Sequence, residues 1–324
     1  MTRRRIAALL FSAFLLALLV SCSSGSVDHP DSTGAGTKET DSGRLKIVTT
    51  IFPQYDFARQ IAGGNADVVM LLKPGEEAHS FEPTPQDIRR IQNADLFIYV
   101  GGENDVWVRR VLNALDHKPD TIKLIDTVSV KTEKNLEGMQ ETPGETGGAE
   151  ADEHVWTSPK NAIRITRAIS RKMQEKDPEH AESYRKNTRR YIRKLRALDE
   201  RFRRIVRTSK RKTLLFGDRF PFRYFADEYG LTCYAAYPGC SENAEVSAKT
   251  LTFLSDKIKE EHLPYVLKIE LSSDNIQRAL CEATGAKPLT FYSCHNVTAD
   301  QLKAGETYLS LMEKNAKTLK KALN

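Results

Sequence analysis

Three histidines lie where a metal ion could be held. His79 sits in "LLKPGEEAHSFEPTPQDI" (71–88), on a Gly-containing turn between an apolar run and the start of a helix. His154 sits in "DEHVWTSPKNA" (152–162), among acids and aromatics, just ahead of a helix opened by Ser158 and Pro159. His295, in "YSCHNVT", follows the last apolar run of the chain. A lone histidine in a loop is ordinarily a surface residue, but three at equivalent loop positions point to ligation. Neutral imidazole is a borderline donor that suits Zn²⁺ first among the metals met outside the cytoplasm. The other four of the seven need no such account. His29 lies in a polar N-terminal stretch, His117 and His262 fall at helix ends, and His180 opens a long helix.

The elements that must position these residues are α/β in pattern. From Arg44 onward, "KIVTTIF", "DVVMLL", "DLFIYV" and "TIKLI" read as strands, separated by helical "QYDFARQIAG", "PQDIRRIQNA" and "DVWVRRVLNAL". The rhythm returns after residue 212 with strands "KTLLFG", "TCYAAY", "PYVLKIEL" and "PLTFYS". Here the helices are "FRYFADEYG", "AKTLTFLSDKIKEEH" and "DNIQRALCEATG", and a closing helix runs from about Thr307. The expectation is two similar lobes, each with a parallel sheet and crossover helices. In such sheets ligands bind outside the carboxyl ends of the strands. His79 and His295 fall on that edge by position alone.

Between the lobes, Tyr184, Thr188, Tyr191, Leu195, Leu198, Phe202 and Ile205 recur at steps of four and three. They draw one apolar stripe along a single long helix, uninterrupted by Gly or Pro from Ala181 to Lys212. Fourteen Lys/Arg lie between Arg185 and Lys212. In an exported chain this reads as the solvated face of a rigid connector, not as a nucleic-acid helix. A rigid connector also limits how far the lobes can swing. The segment 137–153, "EGMQETPGETGGAEADE", has little to bury and reads as a solvated acidic loop leading to His154, or as a weak collector of cations, since its carboxylates would lie close to that histidine.

The N-terminus supplies the reading of compartment. "MTRRRIAALLFSAFLLALLVSC" has three arginines, an apolar run and Leu-Val-Ser-Cys, the pattern of a bacterial lipoprotein signal. Residues 1–21 are expected to be removed and Cys22 lipidated, with 23–43 a polar tether. The domains are therefore expected at 44–178, 179–212 (linker helix) and 213–324. No later stretch reaches the roughly 18 apolar residues of a membrane span. Loss of residues 1–21 lowers the formal charge from +6 to +3, too weak a bias to imply a nucleic-acid partner. Four cysteines remain beyond Cys22, and spacing does not choose among their three full pairings. Cys240 and Cys294, both in loops, are the favoured pair; Cys233 reads as a strand residue and Cys281 as the apolar side of a helix.

These stretches resemble the metal-specific substrate-binding lipoproteins of ABC transporters, the zinc/manganese (ZnuA/TroA-like) class. "KPGEEAHSFEPTPQDI" is similar to the family's first ligand motif, "DEHVWTSPKNA" to its second, and "GETYLSLMEKNAKTL" to its closing helix, so the resemblance covers about residues 45–324. It implies two α/β lobes joined by one long helix, a metal in the cleft, and delivery to a membrane permease driven by an ATPase. The family's third ligand lies eleven residues before a helix-ending Gly; counting back from Gly230 reaches Arg219, whose guanidinium has no lone pair for a metal. Its fourth, counted back from Tyr308, falls within about one residue of His295. The expected site is therefore His79, His154 and His295, completed by Asp218, a water or a cysteine thiolate. Glu77 is either an orienter of a histidine or a plain loop acid, and a Cys240–Cys294 disulfide would brace the loop of His295. Three imidazoles favour Zn²⁺ over Mn²⁺. A monomeric, non-catalytic binder is expected. A zinc hydrolase would want a His-Glu-x-x-His or a clear general base, and neither is present. An adhesin, or an iron-chelate binder using Arg219 and Arg223, is the remaining alternative.

Overall fold

The computed structural model describes residues 43–324, apart from 78–79, 103–104, 134, 141–150 and 240–245. Eight parallel strands form two four-stranded sheets of identical plan, β2-β1-β3-β4 and β6-β5-β7-β8. The first comprises β1 (Leu45–Thr49), β2 (Ala66–Met70), β3 (Leu96–Tyr99) and β4 (Asp120–Lys123). The second comprises β5 (Thr213–Phe220), β6 (Thr232–Pro238), β7 (Tyr265–Lys268) and β8 (Lys287–Thr290). In each sheet the chain reverses its direction of winding beside the first strand, and the crevice left there opens at the strands' carboxyl ends.

The crossover helices are α1 (Phe52–Ala62), α2 (Pro85–Gln92) and α3 (Val106–Ala114) in the first lobe, and α6 (Arg223–Tyr229), α7 (Ala248–Glu260) and α8 (Asn275–Thr284) in the second. Their starts follow local chemistry. Thr84 caps α2 by accepting from Asp87 N–H while Asp87 bonds back to Thr84, with Pro85 in the first turn. Gly63, Gly230 and Gly285 end α1, α6 and α8 in the left-handed conformation that glycine adopts without strain. α9 (Ala299–Lys303) and α10 (Tyr308–Ala322) close the chain.

The connector is α4 (Pro159–Lys176) followed by α5 (Ala181–Thr208), whose 28 residues span roughly 42 Å at 1.5 Å per residue. α5 buries Tyr184, Thr188, Tyr191, Leu195, Leu198 and Phe202 as its stripe predicts. At the last turn it buries Val206 while Ile205 is only partly covered, because a straight helix follows a 3.6-residue period and drifts off the four-three alternation. One apolar cluster runs from Leu45 through the α5 stripe to Leu214, Phe216, Phe291 and Leu323. The lobes thus share a core built on α5.

The acidic segment departs from expectation at both ends. Leu136 and Met139 pack against the shared core, and Gln140 N–H donates to Ala236 C=O at 2.9 Å. Asp152, Glu153 and His154 are buried, with Ala151 bridged to Thr132. Apolar anchors at 136 and 139 and the buried Val155 and Trp156 after His154 draw both ends of the segment inward; residues 141–150 lie outside the described residues.

Candidate metal centre

His154 precedes a short 3-10 turn, Val155–Thr157, that leads into α4. Thr157 N–H and Oγ1–H both donate to His154 C=O, at 3.1 and 2.8 Å, fixing the backbone under the imidazole. The ring is fully buried. Asp152 Oδ1 accepts from His154 N–H at 2.9 Å and stands 3.0 Å from its Nδ1. With the Nδ1 proton held there, neutral His154 carries its lone pair on Nε2, the arrangement seen in metal-binding imidazoles. Burial pushes this imidazole's pKa down, but Asp152, with Glu153 and Glu133 nearby, outweighs it and leaves the pKa above its ordinary value.

His295 lies in the loop between β8 and α9. Its ring meets that of His154 edge-on, with centroids 4.9 Å apart, and that of Trp156 at 4.8 Å. Trp156, itself buried, donates from Nε1 to Ser293 C=O at 2.8 Å, tying the two histidine segments together. Between Ser293 and His295 the chain passes through Cys294 at φ 64°, a left-handed conformation costing a non-glycine residue about 1–2 kcal/mol. Glu270, buried at the end of β7, compensates: its carboxylate accepts from Ser293 N–H (2.6 Å), Ser293 Oγ–H (2.7 Å) and His295 N–H (3.1 Å).

Cys294 is a buried thiol, and Glu270 braces the loop. The expected Cys240–Cys294 pairing involves Cys240, which lies outside the described residues. Burial raises the Cys294 pKa well above the ordinary thiol range. The Asp218 carboxylate is engaged by three donors of the protein. Its Oδ1 accepts from Arg219 N–H (2.8 Å), and its Oδ2 from Ile269 N–H (2.9 Å) and Ser272 Oγ–H. A carboxylate taking three donors in this way braces the start of the β7–α8 connection.

His79 lies outside the described residues, and among the described residues no group of three or more His, Cys, Asp or Glu comes together as a metal cage. The loop leading to His79 is nevertheless firmly placed. Asn296 Nδ2 donates to Lys73 C=O (2.7 Å) and Glu76 C=O (2.9 Å), and Gly75 N–H donates to Val297 C=O (2.9 Å). Glu77 Oε2 accepts from Arg219 at 2.9 Å. The guanidinium found where a third ligand was sought thus joins the loop of His79 to the end of β5.

Between these loops is a cavity of about 20 Å³ lined by Thr50, Ile51, Val100, Glu153, Trp156 and His295, with Phe81, Asp105 and Trp107 completing it. Thr50, Ile51 and Val100 follow β1 and β3, placing the cavity at the first sheet's topological crevice. That space is enough for a water or a bare ion. Burial raises the carboxyl of Asp105 to about 6, although Val100 N–H (2.6 Å) and Gly101 N–H (2.9 Å) donate to it. Sequence reasoning overlooked Asp152, Glu270 and Asn296. Only Asp152 left a signal, as an acid two residues before its histidine.

Known proteins share this architecture. The zinc-binding lipoprotein AdcA of Streptococcus pneumoniae serotype 4 is 34% identical over 314 residues, which are 96% of this chain and 60% of the relative. The chain therefore spans less than two thirds of that protein's length. The high-affinity zinc uptake system protein ZnuA of Bacillus subtilis strain 168 is 29% identical over 302 residues, 90% of this chain and 92% of that one. Among solved structures, the Zn(II)-bound ZnuA-like domain of S. pneumoniae AdcA superposes with a TM-score of 0.71 at 34% identity, covering 87% of this chain and 99% of that domain. The family model described as zinc-uptake complex component A, periplasmic, matches residues 47–322, and the chain belongs to that family.

Proposed function

We propose that this protein is an extracytoplasmic solute-binding protein that captures Zn²⁺ between its lobes and delivers it to an ABC permease with its ATPase. The observation that carries the reading is the His154–His295 pair, edge-on at 4.9 Å, with Nδ1 of the first held by Asp152. His79, His154 and His295 are the nitrogen donors. Of the two carboxylates lining the adjoining cavity, Asp105 is taken by two backbone donors, and among the described residues Glu153 does not stand with the two histidines as a three-donor group. The oxygen that completes the tetrahedron therefore comes from a water, or from Glu153 once the loops order around the ion. Three imidazoles and one oxygen suit zinc better than manganese, which prefers more oxygen donors. An iron chelate held by Arg219 and Arg223 is disfavoured because both guanidiniums are in ion pairs, with Glu77 and Asp227.

The protein acts as a monomer, without catalysis, anchored through lipid on Cys22. Its shared core limits motion to ordering of the loops that carry His79 and His295. The test is metal content after dialysis against equal Zn²⁺ and Mn²⁺, measured by mass spectrometry. About one zinc per chain, lost in His154→Ala and His295→Ala, is expected; weakening in Glu153→Gln would assign the oxygen to that carboxylate and not to water. Retention of manganese in preference to zinc, or full zinc binding by His295→Ala, would overturn the assignment.

A further inference from the structure

The metal site makes no use of the most heavily charged surface of the molecule. α5 carries eleven Lys/Arg and three Asp/Glu, a net +8, in a chain whose form from Cys22 onward totals +3. The rest of that form is therefore net acidic, and the positive charge is concentrated on one helix. It is concentrated on one face as well. Tyr184, Tyr191, Leu195, Leu198 and Phe202 point into the core, whereas Lys186, Arg193, Lys194, Arg201, Arg204 and Arg207 are exposed. None of these six makes an ion pair among the described residues, unlike Arg185, Arg189 and Arg203 on the same helix. Neighbouring like charges left unpaired along roughly 42 Å of rigid helix repel one another and await an anionic counterpart.

Where the chain enters the fold says what that counterpart is. Leu45 at the start of β1 pairs with Ala66, and the preceding residue, Asn65, donates from Nδ2 to Ser183 Oγ in the first turn of α5 at 3.0 Å. The N-terminal segment thus joins the domain about one strand spacing from the end of the basic helix. Twenty-two residues separate Cys22 from Leu45; a random coil of that many residues would reach a few tens of Å, less than the length of the helix.

We propose that the exposed face of α5 docks on the anionic phospholipid surface to which Cys22 is anchored, laying the domain along the bilayer. This rests on the anchored reading of Cys22 made above, and not on the metal assignment. Lysine and arginine held within a Debye length of such a surface are attracted additively. The buried face of α5 is turned toward the core in which His154 sits, so the docked pose leaves the cavity beside His295 clear of the lipid. It is a capture pose. Handing the ion to a permease in the same bilayer requires the helix to let go, which makes release salt- and lipid-dependent.

The test uses the lipidated chain purified from membranes and reconstituted into vesicles of phosphatidylcholine, alone or with 40% phosphatidylglycerol. Amine acetylation is read by mass spectrometry at Lys186 and Lys194, with Lys303 on α9 as the internal control, and zinc content is measured on the same samples. Docking predicts at least about threefold slower acetylation of Lys186 and Lys194 on the anionic vesicles, relieved by 0.5 M salt, with Lys303 unchanged. The variant Arg193→Glu/Lys194→Glu/Arg201→Glu/Arg204→Glu should lose the protection at Lys186. Should that variant fold poorly, the lipid and salt comparisons on the unaltered chain decide alone. Equal reactivity on both vesicles overturns the proposal even where zinc binds normally. So does protection seen only when soluble polyphosphate is added to neutral vesicles, which would identify an anionic polymer instead. Protection without zinc binding supports the docking surface while refuting the metal reading.

Discussion

Asn296 joins the two histidine-bearing loops, and its removal is a direct test of how the site is assembled. The side chain is buried, and its Nδ2 donates to both Lys73 C=O and Glu76 C=O, at 2.7 and 2.9 Å. Each such bond contributes about 0.5–1.5 kcal/mol net, so Asn296→Ala forfeits about 1–3 kcal/mol. These bonds place the loop leading to His79 before metal arrives, so without them zinc must supply that ordering and the loss appears in affinity as a Kd roughly 5- to 150-fold higher. Asn296→Asp is the sharper variant, because it is isosteric but sets a carboxylate against two carbonyl oxygens. The assay is zinc affinity by competition with a chromophoric chelator, paired with thermal unfolding with and without metal. An unchanged Kd in both variants, with equal loss of stability in the two states, would refute the reasoning. It would mean the loop is fixed regardless of metal and Asn296 contributes only to folding.

Proton competition should follow His154: zinc affinity falls as pH drops through its raised pKa, because its proton must leave for the metal to bind. Asp152→Asn removes the charge that raises this pKa, so the acid limb of binding, followed by isothermal titration, should move to lower pH. Asp105, with a carboxyl pKa raised to about 6, makes folding stability fall as pH rises from about 4 to 6, since the folded state binds the proton more tightly than the unfolded one. Denaturant midpoints across that range should lose this component in Asp105→Asn. Across the Arg219–Glu77 pair, partly exposed at Glu77, a double-mutant cycle on zinc affinity should return a coupling of about 0.5–1 kcal/mol. Because one core runs through both lobes and α5, calorimetry should show a single cooperative transition, and Phe202→Ala should lower stability by about 3–5 kcal/mol without splitting it.

Much of the architecture was legible because it is periodic. The two alternations of apolar runs with amphipathic stretches predicted two parallel sheets of one plan, and the stripe from Tyr184 to Phe202 predicted α5. Boundaries were less legible: β5 runs on through Asp218 and Arg219 to Phe220, past its apolar run, whereas β7 stops at Lys268, short of the end of its own, since pairing and not apolar content sets where a strand ends. The solvated reading of Asp152 and Glu153 failed for a different reason. Local composition carries no information about the aromatic and apolar surfaces that close over them.

By itself the sequence determined the α/β plan, the connecting helix and which residue types could bind a metal, because periodicity and donor chemistry are local properties. Only the tertiary structure decided which groups serve them. Asp218, a candidate ligand by its place in the chain, is held by Ile269 and Ser272, whereas Glu270, unremarkable in sequence, holds His295 in place. Arg219, which looked like a missing ligand, pairs with Glu77. A carboxylate's role is set by which donors reach it within about 3 Å, and those donors come from segments tens to hundreds of residues away.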